Sequence, residues 1–471
     1  MKKRAIYWFR NDLRLHDQAG LTEAMASAEE ILPVYIFDTR LFEENELGLV
    51  KTGKFKTQFL IEAVADLRDN LQKAGSNLLV MTGKPEELLV DLAKAHQIEA
   101  IYASQEVTYE ELKVEKALKK KLPATCILSL VWQHTLYHLH DLPYGVQTLP
   151  DIFTQFRKDV EKQSRIRKCL PTPKHIKTIP INDWGQIPSL ESFDLTEPKA
   201  DQRGVMPFKG GETAGLVRLK QYFWNQDLLK AYKETRNGML GADYSSKFSP
   251  WLALGCLSPR YIYEEVKRYE SERISNSSTY WLIFELIWRD YFRFVAEKYG
   301  NSLFFTSGVM GKEPYLKNDI GLFFKWAEAK TGVPFIDANM RELNATGFMS
   351  NRGRQNVASF LVKDLKINWT WGAMYFETML IDYDPASNWG NWNYAAGVGN
   401  DPREDRYFNI LTQAYRYDEN GDYVRHWLPE LSRFAGKSIH DLGGMSSRDF
   451  QNLQIDYPNR LVDFNKWKKG K

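Results

Sequence analysis

Short apolar runs and amphipathic stretches alternate through the first 131 residues. Runs at 5–9, 31–37, 78–81, 100–102 and 126–131 have strand length. The segments between them, 21–28, 55–73, 85–96 and 109–121, carry apolar residues at helical spacing. This alternation predicts an α/β domain over 1–131, a Rossmann-like parallel sheet joined by right-handed crossovers. From residue 205 onward the period is helical, with helices expected over 211–233, 258–270, 279–299, 320–330, 337–346, 351–365 and 371–381. That predicts an all-α domain over 205–471. Residues 132–204 carry seven prolines and read as an interdomain connector draped over the surface.

Composition sets limits on function. With 471 residues, 43% hydrophobic and 26% charged, the chain has ample core and no general disorder. The net charge of +3 is too small to argue for nucleic acid, so any basic surface is local. Residues 151–180 hold eight Lys/Arg against three acids, either a solvated linker or the flank of a nucleic-acid site. No apolar run reaches the ~18 residues of a membrane span. Arg10 and Asp12 interrupt the first apolar stretch, so a signal peptide is not expected. Cys126, Cys169 and Cys256 are isolated; they predict a cytoplasmic protein without disulfides or a metal site. Eleven of the 14 tryptophans lie after residue 205, so the aromatic excess belongs to one half of the molecule.

Four stretches carry candidate chemistry. Glu285, Trp288 and Arg289 are i, i+3 and i+4 on one helix face, where carboxylate, indole and guanidinium can bind a planar heterocycle; a surface ion pair beside a core tryptophan is the plain alternative. Asn351, Arg354 and Gln355 repeat that spacing on a helix that then turns apolar; an ordinary helix start capped by Ser350 or Asn351 is the alternative. Asp382 and Asp384 end an apolar helix at Pro385, where carboxylates need a partner and Arg354 is the natural one. Asn388, Trp392 and Tyr394 follow in what reads as an Asn/Gly-rich loop. Ser245, Ser246, Lys247, Phe248 and Ser249 precede a short helix and form either a phosphate cradle or simple N-capping by Ser249. The first strand–helix turn lacks GxGxxG, so ordinary dinucleotide binding there is not expected.

Taken together, Tyr7-Trp-Phe-Arg-Asn-Asp-Leu-Arg-Leu-His-Asp17, Glu285-Leu-Ile-Trp-Arg-Asp290, Met349-Ser-Asn-Arg352 and Gly399-Asn-Asp-Pro-Arg-Glu-Asp-Arg-Tyr407 resemble the photolyase/cryptochrome family, and within it the cryptochrome DASH branch, over essentially the whole chain. The resemblance implies an antenna-side α/β domain and a helical domain that binds FAD. It places Tyr232 and Ser245 to Ser249 on the FAD phosphates, and Arg289, Arg354, Asp382 and Asp384 around the cofactor. Asn388 faces the flavin N5, an amide that favours the reduced state without adding negative charge. The implied reaction is light-driven electron transfer from FADH⁻ to a cyclobutane pyrimidine dimer flipped out of DNA. Glu285 then binds the lesion edge, and Trp288, Asn351, Gln355 and Tyr394 line its pocket. Arg352 and Gln413 contact the DNA backbone. Trp392 and Trp369 match the inner and middle tryptophans of the photoreduction relay. The outer position falls at Tyr315 and Leu316, leaving Tyr315 or Trp371 as substitutes, or a shortened relay. Glu106 and the 132–138 segment imply a 5,10-methenyltetrahydrofolate antenna.

Two departures from duplex-repairing relatives are typical of the DASH branch. Tyr394 stands for a second stacking tryptophan and Gln355 for a methionine. Base–aromatic stacking is worth ~1–3 kcal/mol per base, and flipping from a duplex costs a few kcal/mol more than from a single strand. The implied partner is therefore single-stranded or looped damaged DNA, with a monomeric protein and no membrane. The alternative is a blue-light photoreceptor that binds nucleic acid without repair.

Overall fold

The computed structural model describes residues 3–400 and 407–468. Residues 401–406 of the last family-like motif lie outside that range. Five strands, β1 (Arg4–Phe9), β2 (Glu30–Phe37), β3 (Leu79–Thr82), β4 (Ala100–Ser104) and β5 (Ile127–Val131), form one parallel sheet in the order β3-β2-β1-β4-β5. Tyr7 at the centre stands opposite Pro33 on one side and Tyr102 on the other. β2 is buried along its whole length, as a sheet covered on both faces requires. The helices of this layer are α1 (Ala19–Ser27), α2 (Lys54–Lys73), α3 (Pro85–Ala95) and α4 (Tyr109–Lys121). All nine elements lie within two residues of their expected bounds.

The connector is more structured than its prolines suggest. It contains α5 (Phe153–Gln163), which buries Phe153, Phe156 and Val160 at i, i+3 and i+7. The following strip bridges Ile31 to Thr178 and buries Ile176, Ile179 and Phe193 against the α/β half. The helical half holds α6 (Glu212–Lys220), α7 (Tyr232–Thr235), α8 (Ser249–Ala253), α9 (Pro259–Glu272), α10 (Ser277–Tyr299), α11 (Ile320–Ala327), α12 (Pro334–Thr346), α13 (Asn351–Ser359), α14 (Trp369–Met379), α15 (Pro385–Ala396) and α16 (Ile410–Tyr417).

Three expectations fail here. The single helix over 211–233 is broken by a π turn at Gln221–Asn225 and by Asp227 at φ 55°. The helix over 351–365 widens into a π turn at Phe360–Asp364. The supposed loop after Pro385 is α15. Asp384 caps it, accepting from the Ser387 backbone N–H at 2.7 Å, and Pro385 occupies its first turn. Asn and Gly read as loop formers, but burial of Ala386, Trp389, Trp392, Tyr394 and Ala396 outweighs their propensity.

The 10–17 turn joins the two halves. The Arg14 guanidinium donates to the Gly255 carbonyl at 2.8 Å. Glu212 at the start of α6 accepts from the Leu15 and His16 backbone at 2.8 and 3.0 Å. Asp17 pairs with Arg260 at 2.6 Å. The missing glycines of a dinucleotide fingerprint are thus replaced by charged residues aimed into the helical half. Among the described residues no helix is long and apolar enough to cross a membrane.

Candidate active site

The floor of the site lies where α13, α14 and α15 converge. Ser350 is the N-cap of α13, accepting from the Gly353 N–H at 3.0 Å, while Asn351 is exposed at the first position. Arg354, one turn on, donates to the Met349 carbonyl at 2.9 Å and to Asp382 Oδ2 at 2.9 Å. Asp382 is buried, and its Oδ1 has no partner. Such an atom costs about 1–3 kcal/mol unless a donor reaches it, so this oxygen fits the N–H edge of a bound heterocycle. Asn388 is buried on α15 and uses one amide N–H on the Ala373 carbonyl at 3.1 Å. Asp384 spends its carboxylate on the α15 cap and does not join the Arg354 pair.

The second part of the cradle is the 242–249 loop. Arg218 holds it from inside, donating to the Ser246, Ala242 and Ser245 carbonyls at 3.0, 2.9 and 3.2 Å. Lys247 takes a left-handed backbone (φ 61°) and is buried, its Nζ donating to Ser245 Oγ at 3.1 Å. Burial pushes its amine well below the ordinary lysine range, only partly offset by Glu342. A buried amine without a bonded carboxylate fits a polyanion such as the FAD diphosphate. Phe248 is buried behind it and Tyr232 is buried at the start of α7. Ser249 begins α8 without capping it, which removes the N-capping alternative, because Phe248 occupies the cap position. On α12, Glu342 is fully buried; one oxygen accepts from the Tyr423 hydroxyl at 2.7 Å and the other has no partner. Burial pushes this carboxyl up to about 7.

The wall is built on α10. Glu285 Oε1 accepts from Arg236 at 2.7 Å and from the Trp281 indole N–H at 3.1 Å, which leaves Oε2 outside both bonds. Burial pushes the Glu285 carboxyl up, against the pull of Arg236. Its partner is therefore Arg236 rather than Arg289. The Arg289 guanidinium donates instead to the His134 and Leu252 carbonyls, tying the start of the connector to α8. Trp288 is stacked on Phe153 of the connector, centroids 3.5 Å apart and 12° between planes, and Tyr394 meets it edge-on at 5.9 Å and 81°. The Tyr394 hydroxyl donates to the Asn400 carbonyl at 3.1 Å. Arg352 donates to Gln355 Oε1 at 2.9 Å and to Asn237 Oδ1 at 3.2 Å, and lies 4.4 Å from the Tyr417 ring centre. Gln413 on α16 keeps a buried Oε1 without a partner.

The aromatic interior branches. A Cβ at Gly372 would collide with the Trp392 ring, so glycine lets that indole lie on α14, one turn from Trp369. Trp392 meets Trp326 at 6.3 Å and Phe376 at 5.1 Å. Trp369 is fully buried, donates to the Thr306 carbonyl at 3.0 Å and meets Trp389 at 5.7 Å. Tyr315 is 78% exposed.

Glu106 sits between the two halves. Its Oε2 accepts from Arg293 at 2.7 Å, and its Oε1 lies 3.3 Å from His134 Nε2 and 3.4 Å from Asn11 Nδ2. Burial opposes its ionisation, but Arg293, His134 and Arg10 outweigh that and hold the carboxyl well below the usual range.

Three neighbours of the site escaped the sequence reading. Trp281 is i−4 from Glu285, a spacing that was available on the same helix. Arg236 and Phe153 reach α10 from distant segments, and nothing in their local sequence marks them.

Residues 5–175 match the DNA photolyase family, and residues 281–470 match the FAD binding domain of DNA photolyase. A cryptochrome DASH from Gloeobacter violaceus is 53% identical over 466 residues, 98% of this chain and 93% of that protein. The crystal structure of a Synechocystis sp. PCC6803 cryptochrome superposes with a TM-score of 0.95 at 51% identity, covering 100% of this chain and 98% of the other. A class III photolyase from Agrobacterium tumefaciens gives 0.84 at 28% identity over 100% and 96% of the two chains.

Proposed function

The chain belongs to the photolyase/cryptochrome family, in its cryptochrome DASH branch, and we propose on that premise that it repairs cyclobutane pyrimidine dimers in single-stranded or looped DNA under blue light. Reduced FAD, when bound, supplies the electron that splits the dimer. Arg354 holds Asp382 so that its free oxygen receives an N–H of the flavin ring. Asn388 presents an uncharged amide to the ring. Ser245 to Ser249, Lys247 and Tyr232 bind the phosphate end. Glu285 offers Oε2 to the lesion edge, where its raised carboxyl suits donation or acceptance of a hydrogen bond. Trp288 keeps one face on Phe153 and lends the rest of its surface to a base. Asn351, Gln355 and Tyr394 complete the pocket, and Arg352 and Gln413 contact the strand.

The observation that carries this reading is a shared helix. α15 brings Asn388 to the floor and Tyr394 to the wall, so cofactor and lesion subsites are separated by less than two helical turns. The single-strand preference rests on the wall. Tyr394 meets Trp288 at its edge and offers no second stacking plane, which leaves duplex flipping uncompensated. We further propose a folate antenna on the interdomain side, where Glu106 would share a lone pair not used by Arg293, His134 and Asn11. The division into 1–131, 132–204 and 205–471 follows the same reading.

The test is repair of dimer-containing oligonucleotides by the flavin-loaded, reduced protein under blue light, single-stranded against duplex. Splitting in single strands that exceeds splitting in duplex is the expected outcome. Light-independent binding with no splitting selects the photoreceptor alternative, and cofactor release followed by chromatography reports FAD and folate separately.

A further inference from the structure

Beyond the lesion pocket, the open side of α10 stays aromatic. Trp281, Phe284, Glu285 and Trp288 fall at i, i+3, i+4 and i+7, and all four are half-buried, so they form one stripe that reaches solvent. From Trp281 to Trp288 the stripe runs about 10 Å. Its rings touch along that length. Trp281 stacks on Phe284, centroids 4.8 Å apart and 29° between planes. Phe284 meets Phe153 edge-on at 5.3 Å, and Phe153 stacks on Trp288. Glu285 lies between the two indoles and accepts from the Trp281 N–H at 3.1 Å.

Cations line the stripe. Arg236 comes within 5.9 Å of the Trp281 ring centre and Arg157 of α5 within 5.8 Å of that of Phe284, but both guanidiniums are already paired, with Glu285 and Glu161 at 2.7 and 2.6 Å. Lys233 of α7 is not. It is exposed, places Nζ 4.9 Å from the Trp281 ring centre and makes no ion pair among the described residues.

We infer that Trp281 is a stacking subsite for an undamaged base that neighbours the dimer in the same single strand, with Lys233 taking that nucleotide's phosphate; this rests on the function proposed above.

Holding Glu285 would need only the indole N–H, yet the ring itself is left half open. Contiguous apolar surface rimmed by polar groups marks a binding site, and this patch continues the proposed lesion pocket along the same helix. A flat ring beside an unpaired cation suits a nucleotide, which brings a π-face and a phosphate together. Lys233 lies over the ring that the base would take. An exposed cation–π contact is weaker than base–aromatic stacking, and the displaced ammonium gains a charge-assisted bond to phosphate, so the exchange runs toward the base. In a duplex the neighbouring base is held by its complement, whereas in a single strand it leaves the stack at lower cost. The subsite therefore adds to the single-strand preference without altering the lesion pocket.

The test is binding in the dark, by flavin-loaded, reduced protein, of dimer-containing single strands that carry an abasic residue on one side of the dimer or on the other. The abasic residue removes the base and keeps the phosphate. In the wild type it is expected to weaken binding about tenfold on one side and to do little on the other. Trp281→Leu should bind the intact strand about tenfold more weakly and lose the abasic effect. Trp281→Phe, which loses the N–H to Glu285 but keeps a ring, should retain it. Lys233→Met should lower the salt slope of binding by about 0.7. Should Trp281→Leu fail to hold flavin, the abasic comparison on the wild type and the salt slope of Lys233→Met decide. A wild type indifferent to abasic residues on both sides, a Trp281→Leu variant as sensitive as the wild type, or an unchanged salt slope in Lys233→Met overturns the inference; the repair reading stands if the same wild type still splits the dimer under blue light. A wild type that shows the abasic effect and splits nothing keeps the subsite and overturns the repair reading. A wild type that binds none of the strands overturns both.

Discussion

Floor and wall of the site carry similar polar residues but leave them in different states. On the floor, Asp382 keeps a buried oxygen without a partner and Lys247 a buried amine without a bonded carboxylate. On the wall, Glu285 is bonded to Arg236 and Trp281, Arg352 to Gln355 and Asn237, and Tyr394 to Asn400. Unsatisfied buried groups favour a permanent guest, because its departure restores a cost of about 1–3 kcal/mol each. A wall whose side chains are mostly bonded within the chain, Gln413 Oε1 and Glu285 Oε2 excepted, can admit and release a guest with less penalty. On the proposed function, retention of the flavin belongs to the floor and turnover of the lesion to the wall.

The sharpest way to break that distinction is Arg354→Met. It strands the Asp382 carboxylate, and loss of one partner of a buried pair costs about 3–5 kcal/mol. The variant is expected to emerge from gel filtration nearly free of flavin. A wild-type flavin-to-protein ratio would mean that the floor does not hold the cofactor.

Trp392→Phe separates feeding the flavin from using it. Photoreduction of the oxidised protein is expected to slow about a hundredfold, equivalent to about 2.7 kcal/mol of barrier. Dimer splitting by protein reduced beforehand is expected to stay near the wild-type rate. Transient absorption and a single-turnover repair assay read the two steps.

Glu342→Gln probes the buried polar reserve behind the floor. The folded protein keeps the Glu342 proton up to about pH 7, whereas the unfolded chain releases it near 4.5. The folded state binds more protons in that window, so this group favours folding below pH 4.5 and that contribution is lost as the pH rises through 7. The effect is about 3 kcal/mol. Denaturation midpoints measured across that window should fall with pH in the wild type and flatten in the variant.

The smallest change is expected from Tyr394→Trp combined with Gln355→Met. The pair adds stacking surface and frees Arg352 from its glutamine, and it should shift activity toward duplex by about 1–2 kcal/mol at most. Better single-strand binding without a duplex gain would place the limit in backbone contacts rather than in the pocket.

How far the sequence reaches depends on the range of the forces involved. The α/β elements were legible to within two residues because local periodicity and burial agree there. α15 was not, since a run of Asn, Gly and Ser argues locally for a loop and only tertiary burial of Trp389 and Trp392 reverses that. The Arg354–Asp382 pair could be anticipated, because a buried helix-end carboxylate needs a cation and one was at hand. The Arg236–Glu285 pair could not, as the two residues are 49 positions apart and no local rule prefers Arg236 to the same-helix Arg289.

The most direct measurement is the initial rate of dimer splitting in single-stranded DNA by flavin-loaded, reduced protein under blue light, wild type beside Glu285→Gln. We predict splitting by the wild type and a loss on the order of tenfold or more in the variant, about 1.4 kcal/mol of lost transition-state contact, at unchanged flavin content. A reduced, flavin-loaded wild type that binds the damaged strand and leaves the dimer intact under light would contradict it.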